Sequence, residues 1–227
     1  AVLMVVVCFA VNNYSKNEPN TKKSDSAKEE IDFDIEDAEF VLDNGLVITE
    51  IDSYTGTYME DATDDEVTDV MMIMVTNTAD TPLQYAEIAL TGESGDALFK
   101  LSTLNPGQTA MVLESERKPY EKADEYTEAS AQHVVFFEEP LTTYEDILEI
   151  QPLDGGFNIT NISEEDIGGE IMVYFKDYAD DLLCGGITYR GRIEGGLKAG
   201  EVRQIMTDNF TELNTKVMFI TITEAEK

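Results

Sequence analysis

The sequence predicts an all-β protein whose folded part consists of two tandem β-sandwich units. Helical periodicity is scarce in the larger part of the chain, whereas short runs of β-branched and aromatic residues recur. Turn-forming pairs such as Asn-Gly, Asp-Gly, Gly-Gly and Pro-Gly separate these runs. Since 42 % of the 227 residues are hydrophobic, the chain can bury one large core or two small ones.

The first eleven residues form an apolar segment, with the run VLMVVVCFAV from Val2 to Val11. As a helix this run covers about 15 Å, half of the hydrocarbon layer of a bilayer. We therefore expect residues 1–11 to be a truncated signal peptide or transmembrane anchor. A buried N-terminal strand is the alternative, because short apolar runs suit both structures. Lipid attachment at Cys8 fits poorly, because Val7 stands where a small residue is expected.

Residues 12–37 are predicted to be a disordered linker. At its start the composition changes to Asn, Ser, Lys, Thr and Glu without apolar periodicity. The order of anchor, linker and folded head predicts a protein of the cell envelope, exposed on the extracellular face, or secreted if the leader is cleaved. Cys8 lies in the leader and Cys184 far along the chain, so we expect no disulfide between them.

The first sandwich unit is assigned to residues 38–144. Asn44 and Gly45 lie between two strand-like runs, and this dipeptide readily takes the positive φ angles of a tight hairpin. The continuous apolar run from Val70 to Val75 predicts a strand that is covered on both faces. The polar stretch from Glu116 to Gln132 is predicted to be a long loop or one short helix.

The second unit, residues 145–227, repeats landmarks of the first in the same order. The three pairs of landmarks are Thr76-Asn77 with Thr160-Asn161, Leu104 to Gly107 with Leu197 to Gly200, and Val134 to Phe136 with Val217 to Phe219. An asparagine at a strand end tolerates a left-handed turn, and its amide satisfies nearby backbone groups. A glycine after a buried leucine lets the chain reverse. We interpret the repeat as two tandem immunoglobulin-like β-sandwiches of roughly seven short strands each.

These same stretches carry a resemblance to known modules. Residues 70–90 together with 101–113 resemble the small extracellular β-sandwich modules of the FxLYD and telokin-like kind, which follow a signal or anchor in Gram-positive bacteria. Residues 159–201 are similar to uncharacterised membrane-anchored proteins of gut clostridia. The resemblance implies an immunoglobulin-like envelope protein without a described activity, because the shared motifs are turns and core positions.

Charge and rare residues limit the function. With 47 acidic and 15 basic residues the formal net charge is −32, which repels nucleic acids and anionic lipids. One histidine, two cysteines and no tryptophan leave little material for a metal centre, an acid-base relay or a sugar-stacking platform. We therefore predict no enzyme, no cofactor, no nucleic-acid partner, and membrane contact only through the N-terminal segment. A protein or peptide partner is the expected ligand.

An acidic loop at residues 60–69 gives the alternative function. Six carboxylates precede Val70, namely Glu60, Asp61, Asp64, Asp65, Glu66 and Asp69. Hard oxygen ligands of this kind could hold calcium, so an extracellular ligand- or calcium-binding module is the second hypothesis. The alternating pattern of a calcium loop is absent, and a solvated acidic loop explains the cluster equally well.

The strongest local positive charge lies in the stretch GGITYRGRIEGG, from Gly185 to Gly196, whose alternation fits a strand with glycine at its ends. Four residues in or before it are the candidate partner contacts, namely Tyr174, Tyr178, Arg190 and Arg192. Core packing is the competing explanation for the tyrosines. His133 is predicted to be a surface histidine at a strand edge, because no nucleophile motif or metal-ligand motif accompanies it. A glycan hydrolase is the least favoured hypothesis, since the chain has no tryptophan.

Overall fold

A computed structural model describes residues 39–63, 65–93, 95–123 and 126–223. The leader at 1–11 and the linker at 12–37 lie outside the described residues. The described residues contain strands and turns but no α-helix, which confirms the all-β prediction. Accordingly, no helix capable of crossing a bilayer occurs within these ranges.

The described residues form thirteen strands. In chain order these are β1 (Phe40–Val41), β2 (Leu46–Thr57), β3 (Glu66–Asn77), β4 (Leu83–Gly92), β5 (Ala97–Leu104), β6 (Thr109–Leu113), β7 (Tyr126–Phe136), β8 (Leu148–Leu153), β9 (Gly156–Asn161), β10 (Glu170–Ala179), β11 (Leu182–Ile193), β12 (Val202–Met206) and β13 (Thr215–Thr223).

The strands make three sheets, one of which runs through both predicted units. This large sheet has the order β1-β2-β3-β6-β11-β10-β13, and the two small sheets have the orders β5-β4-β7 and β12-β9-β8. All named pairs are antiparallel except β6 with β11, where Ala110 lies opposite Leu183 and Met111 opposite Cys184. This short parallel pairing joins strands of the first predicted unit to strands of the second.

Three hydrophobic clusters hold the sheets together. The largest lies between β2, β3 and β6 on one side and β4 and β5 on the other, around the fully buried Phe99. A second cluster surrounds Phe157, Phe175 and Phe210, whose rings contact one another. A third covers the opposite face of β3 and β6 and includes Met72. As predicted, the apolar run of β3 is buried on both faces.

The strand pairings of the two predicted units follow one pattern. In the first, β3 lies between β2 and β6, and β4 lies between β5 and β7. In the second, β9 lies between β8 and β12, and β10 lies between β11 and β13. Six successive strands therefore repeat their neighbour relations, while β1 has no counterpart among the described residues of the second set.

Asn77 explains the first repeated landmark. Its Nδ2 donates to the carbonyls of Thr81 and Leu104 at 3.0 and 2.8 Å, and its Oδ1 accepts the amide N–H of Ala79 at 3.0 Å. Its own carbonyl accepts the N–H of Gly107, a residue with φ of 74°. The side chain is fully buried, so it ties the end of β3 to the turn between β5 and β6.

Asn161 makes the same set of bonds in the second half. Its Nδ2 donates to the carbonyls of Glu165 and Leu197 at 2.8 and 3.2 Å, and its Oδ1 accepts the N–H of Ser163 at 3.0 Å. Its carbonyl accepts the N–H of Gly200, whose φ is 71°. The first two landmarks of the predicted repeat are therefore equivalent in their hydrogen bonds.

The third landmark lies on corresponding strands but in a different register. Phe136 of β7 pairs with Leu83 at the start of β4, whereas Phe219 of β13 pairs with Tyr174 in the middle of β10. Overlaying the two segments by their Val-x-Phe pattern was wrong, because that short apolar pattern recurs at several positions of core-facing strands.

The prediction of a loop or helix from Glu116 to Gln132 was also wrong in its second half. The edge strand β7 begins at Tyr126, and most of its side chains up to His133 are exposed or half-buried. A strand that buries only a few side chains has the composition of a loop. The Asn-Gly hairpin, by contrast, is confirmed: Gly45 has a φ of 81° in the turn between β1 and β2.

We expect Asn161→Ala to lower the free energy of unfolding by about 3 kcal/mol, because a fully buried side chain loses its hydrogen bonds to Glu165, Leu197 and Ser163 and β9 loses its tie to the next turn. Asn158→Ala, on the same strand but only half-buried, is the matched control and should cost less than about 1 kcal/mol. Urea unfolding followed by circular dichroism measures both, and equal losses would contradict this role of Asn161.

Candidate functional site

A cleft lies where the second six-strand set, β8 to β13, meets the first, β2 to β7. It encloses about 640 Å³ between the outer face of β10, β11 and β13 and the strands β4 and β5. A cross-strand row forms its centre, with Tyr174 opposite both Arg190 and Phe219. The cleft therefore brings together two of the four residues that the sequence predicted as partner contacts.

The floor of the cleft is aromatic. The rings of Tyr174 and Phe219 are stacked, with centroids 4.1 Å apart and planes inclined by 6°. Phe137 packs edge-on against Phe219 at 5.3 Å. Tyr174 and Phe137 remain half-buried, so part of this aromatic surface is open to a ligand.

The walls of the cleft carry hydroxyl and amide groups. They are formed by Gln84, Ser102, Thr103, Thr188 and Thr221. The hydroxyls of Ser102 and Thr188 lie 2.9 Å apart, and the Ser102 hydroxyl also donates to the carbonyl of Gly186. An aromatic floor with a few polar groups above it is typical of a site that orients a ligand through directed hydrogen bonds.

Arg190 is the single charged residue among those that line the cleft. It is exposed, and its side chain makes no hydrogen bond or ion pair with any described residue. Arg192, two residues further along β11, differs in this respect. It binds the carboxylates of Glu170 and Glu194, the latter at 2.9 Å. Of these two arginines, Arg190 is therefore the one whose side chain has no partner among the described residues.

Tyr178 does not belong to the cleft. Its hydroxyl donates to the carboxylate of Asp181 at 2.7 Å, and the ammonium of Lys216 lies 4.7 Å from the centre of its ring. These contacts hold the ring at the far end of β10. Of the four predicted residues, Tyr174 and Arg190 thus share one site, whereas Tyr178 and Arg192 are engaged elsewhere.

Three carboxylates of the acidic loop, those of Glu60, Asp61 and Asp65, bind other parts of the protein, and Asp64 lies outside the described residues. One guanidinium nitrogen of Arg117 lies 2.9 Å from both Asp61 and Asp65, and the guanidinium stacks 4.4 Å from the ring centre of Tyr58. Hydrogen bonds from Thr63 and from Arg117 lower the pKa of Asp61. In the described part of the chain no three His, Cys, Asp or Glu side chains are arranged to hold a metal ion.

Glu60 lies at the end of the β6–β11 joint, which is the short parallel pairing of these two strands. Its two carboxylate oxygens accept the N–H groups of Leu113 and Gly186, each at 2.8 Å, just beyond the last paired residues of the two strands. Burial raises the pKa of Glu60, although both hydrogen bonds and the charge of Lys176 act in the opposite direction. A residue predicted as a possible ion ligand is instead a structural bridge.

Lys176 lies next to the cleft and was not predicted from the sequence. It is fully buried on β10, and its ammonium donates to the carbonyl of Ser102 at 2.8 Å. Burial lowers its pKa, and the charge of Glu60 partly offsets this effect. The bond to Ser102 connects β10 to β5 directly beneath the cleft, so Lys176 supports the polar wall.

His133 lies on the edge strand β7, as predicted. Its side chain is 71 % exposed, and its Nε2 lies 3.9 Å from a carboxylate oxygen of Glu87. Cys184, the described cysteine, is buried in the third cluster, which agrees with its predicted role as a small hydrophobic residue.

No protein-family model, curated protein or solved structure matches this chain. The chemistry of the cleft is therefore the basis for a functional proposal.

We expect the contribution of Glu60 to stability to depend on pH. Because the pKa of Glu60 is raised in the folded protein, its contribution is full below about pH 4.5 and is lost as the pH rises toward about 7. The free energy of unfolding of the wild type, relative to Glu60→Gln, should therefore fall across this range in urea titrations. Asp61→Asn is the control, because the lowered pKa of Asp61 makes its contribution constant over the same range. If the difference in free energy of unfolding between the wild type and Glu60→Gln stayed constant over this range, the raised pKa of Glu60 would be contradicted.

Gly186→Ala tests the close packing at the joint. A Cβ at this position would lie 1.8 Å from the carbonyl oxygen of Lys100, so we expect a loss of about 3 kcal/mol or more in the free energy of unfolding. Gly168→Ala has no neighbour within 4 Å of the new Cβ and should stay within about 0.5 kcal/mol of the wild type. If both variants changed the free energy of unfolding by less than about 0.5 kcal/mol, β11 would not pack as closely against Lys100 as the structure shows.

Proposed function

We propose that the protein is a non-enzymatic cell-envelope protein, held by its N-terminal segment with its head on the extracellular face, which binds a protein or peptide partner. The observation that supports this most strongly is the unpaired guanidinium of Arg190 above the aromatic floor of the cleft. Among the residues that line the cleft, no His, Asp, Glu or Lys lies beside the hydroxyls to activate them, so the site provides binding groups without an acid-base pair.

The finer fold assignment belongs to the same proposal: two tandem immunoglobulin-like sandwiches, at 38–144 and 145–227. In an immunoglobulin domain strand B neighbours strand E, and strand C neighbours strand F. The pairs β3 with β6 and β4 with β7 supply these relations in the first unit, and β9 with β12 and β10 with β13 in the second. This order supports a relation to the FxLYD and telokin-like modules.

The cleft fits a peptide segment that carries both an acceptor and an apolar side chain. A carboxylate or carbonyl of the partner would accept from Arg190, which presents its donors in a planar fork. An aromatic or aliphatic side chain of the partner would cover Tyr174 beside it. The hydroxyls of Ser102 and Thr188 would bond backbone groups of the partner and so fix its register.

Calcium binding by the acidic loop remains the alternative and has less support. Asp61 and Asp65 already share Arg117, and Glu60 turns toward the joint. A calcium titration at about 1 mM, the weak end of extracellular sites, decides the question. A raised melting temperature would favour the loop over the cleft as the functional site.

We expect Arg190→Ala to weaken partner binding about tenfold or more, because one charge-assisted hydrogen bond to the partner is lost. Arg192→Ala removes the same charge from the same strand but leaves the cleft unchanged, and should have little effect. Replacing Tyr174 by benzoylphenylalanine in cells should give a cross-linked adduct with the partner, whereas the same replacement of Tyr178 should not.

The proposal fails if both arginine variants bind the partner as the wild type does, or if neither cross-linker position yields an adduct. The location is tested separately by adding protease to intact cells. We expect loss of the head domain under conditions that spare a cytosolic marker. Full protection of the head would overturn the extracellular assignment but not the cleft.

A further inference from the structure

A second groove lies between the edge strands β8 and β13. It encloses about 510 Å³. Its apolar side chains include Leu148, Ile150, Phe210 and Val217, all of which belong to or pack against the second cluster. Ile162 at its rim is 49 % exposed. None of the residues that line this groove lines the cleft of Tyr174 and Arg190.

The first six-strand set shows what fills the equivalent position. Leu46 lies opposite Asn77, and Leu148 lies opposite Asn161, the asparagine that makes the equivalent hydrogen bonds. Val47 and Ile48, which follow Leu46, therefore correspond to Glu149 and Ile150, which follow Leu148. In the first set, Val47 and Ile48 pair with the short strand β1.

Strand β1 contributes a side chain as well as hydrogen bonds. Phe40 lies opposite Ile48 and packs against the first core, so it closes the open side of that sandwich. The segment that includes Val41 and Leu42 also faces Ala129 to Ala131 of β7 across a small pocket of about 170 Å³. A strand between β2 and β7 is thus part of the first fold.

Among the described residues of the second set, no strand occupies this position. At the outer edge of β8, which has β9 as its one neighbouring strand, the N–H of Leu148 donates to the carbonyl of Tyr144 at 2.8 Å. Pro152 has no N–H. The N–H of Ile150, with the carbonyls on either side of it, is therefore what this edge offers to an added strand. The chain that enters β8 runs instead beside β13, where the carbonyl of Thr142 accepts the N–H of Ile220. The groove next to Ile150 is the counterpart of the place that Phe40 fills.

We infer that β8 binds an extended, basic peptide segment of a partner protein by antiparallel strand addition, with an apolar side chain of that segment in the groove. Backbone hydrogen bonds to β8 would supply affinity, and the groove would select the side chain. The antiparallel direction follows from β1, which pairs with β2 in this way.

Charge determines the chemistry of the occupant. Glu145 and Glu149 are the charged residues that line the groove, and both are exposed. A carboxylate on an edge strand discourages pairing with another copy of this acidic chain and favours a strand with lysine or arginine. Basic side chains would alternate with apolar ones, because neighbouring residues of a strand point to opposite faces.

The test uses a labelled synthetic peptide of about seven residues in which lysine alternates with valine and phenylalanine, measured by fluorescence anisotropy with the full chain. We expect saturable binding and increased hydrogen-exchange protection of the Ile150 amide of β8. A matched peptide with glutamate in place of lysine should not bind. Glu149→Lys should weaken binding about tenfold, because an attraction becomes a repulsion.

Glu128→Lys, an exposed charge reversal on β7, is the control for the change in net charge. Equal weakening by both variants, or binding without protection of β8, would show attraction to the acidic surface in general and overturn the inference. Self-association of the chain that the peptide displaces would also overturn it, because the occupant would then be a second copy. Arg190→Ala should leave peptide binding unchanged, so this test is independent of the cleft.

Discussion

The arrangement of the whole head depends on the short parallel pairing between β6 and β11. Two residue pairs form it, and where it ends Glu60 accepts the next N–H group of each strand. The carboxylate thus satisfies backbone groups that would be unpaired at the point where the two strands diverge. Because this joint makes one sheet from strands of both halves, β10, β11 and β13 are held against β4 and β5. The cleft is a direct result, and Lys176 beneath it is buried by the same contact.

The sequence predicted the features that depend on neighbouring residues. The Asn44-Gly45 hairpin, the doubly covered β3 and the repeated Thr-Asn landmarks each follow from local backbone preference or from composition. The joint could not be predicted, because it pairs strands about 70 residues apart and only two residues of each take part. Lys176 was missed for a related reason. One lysine in an apolar strand has the pattern of an exposed residue until the strand that covers it is known.

The two six-strand sets share their neighbour relations but differ in which of their edge strands are covered. Strand β6 pairs with β11, whereas its counterpart β12 has one neighbour, β9, among the described strands. Strand β2 is covered by β1, whereas β8 has β9 as its one neighbour among the described strands. The buried asparagines Asn77 and Asn161 are the same in both halves, because each holds a strand end to a turn inside its own sandwich. Differences therefore occur at the sheet edges, where a change alters association without altering a core.

A net charge of −32 makes the two proposed surfaces respond differently to a partner. At long range the field attracts cationic segments, and Glu145 and Glu149 at the β8 groove act in the same direction. Arg190 opposes this field and acts within hydrogen-bonding distance, so its contribution depends on geometry more than on ionic strength. Binding at the groove should weaken with added salt, whereas binding at the cleft should change little or become stronger as the repulsion of an acidic ligand is screened. The salt dependence of a natural partner therefore indicates which surface holds it.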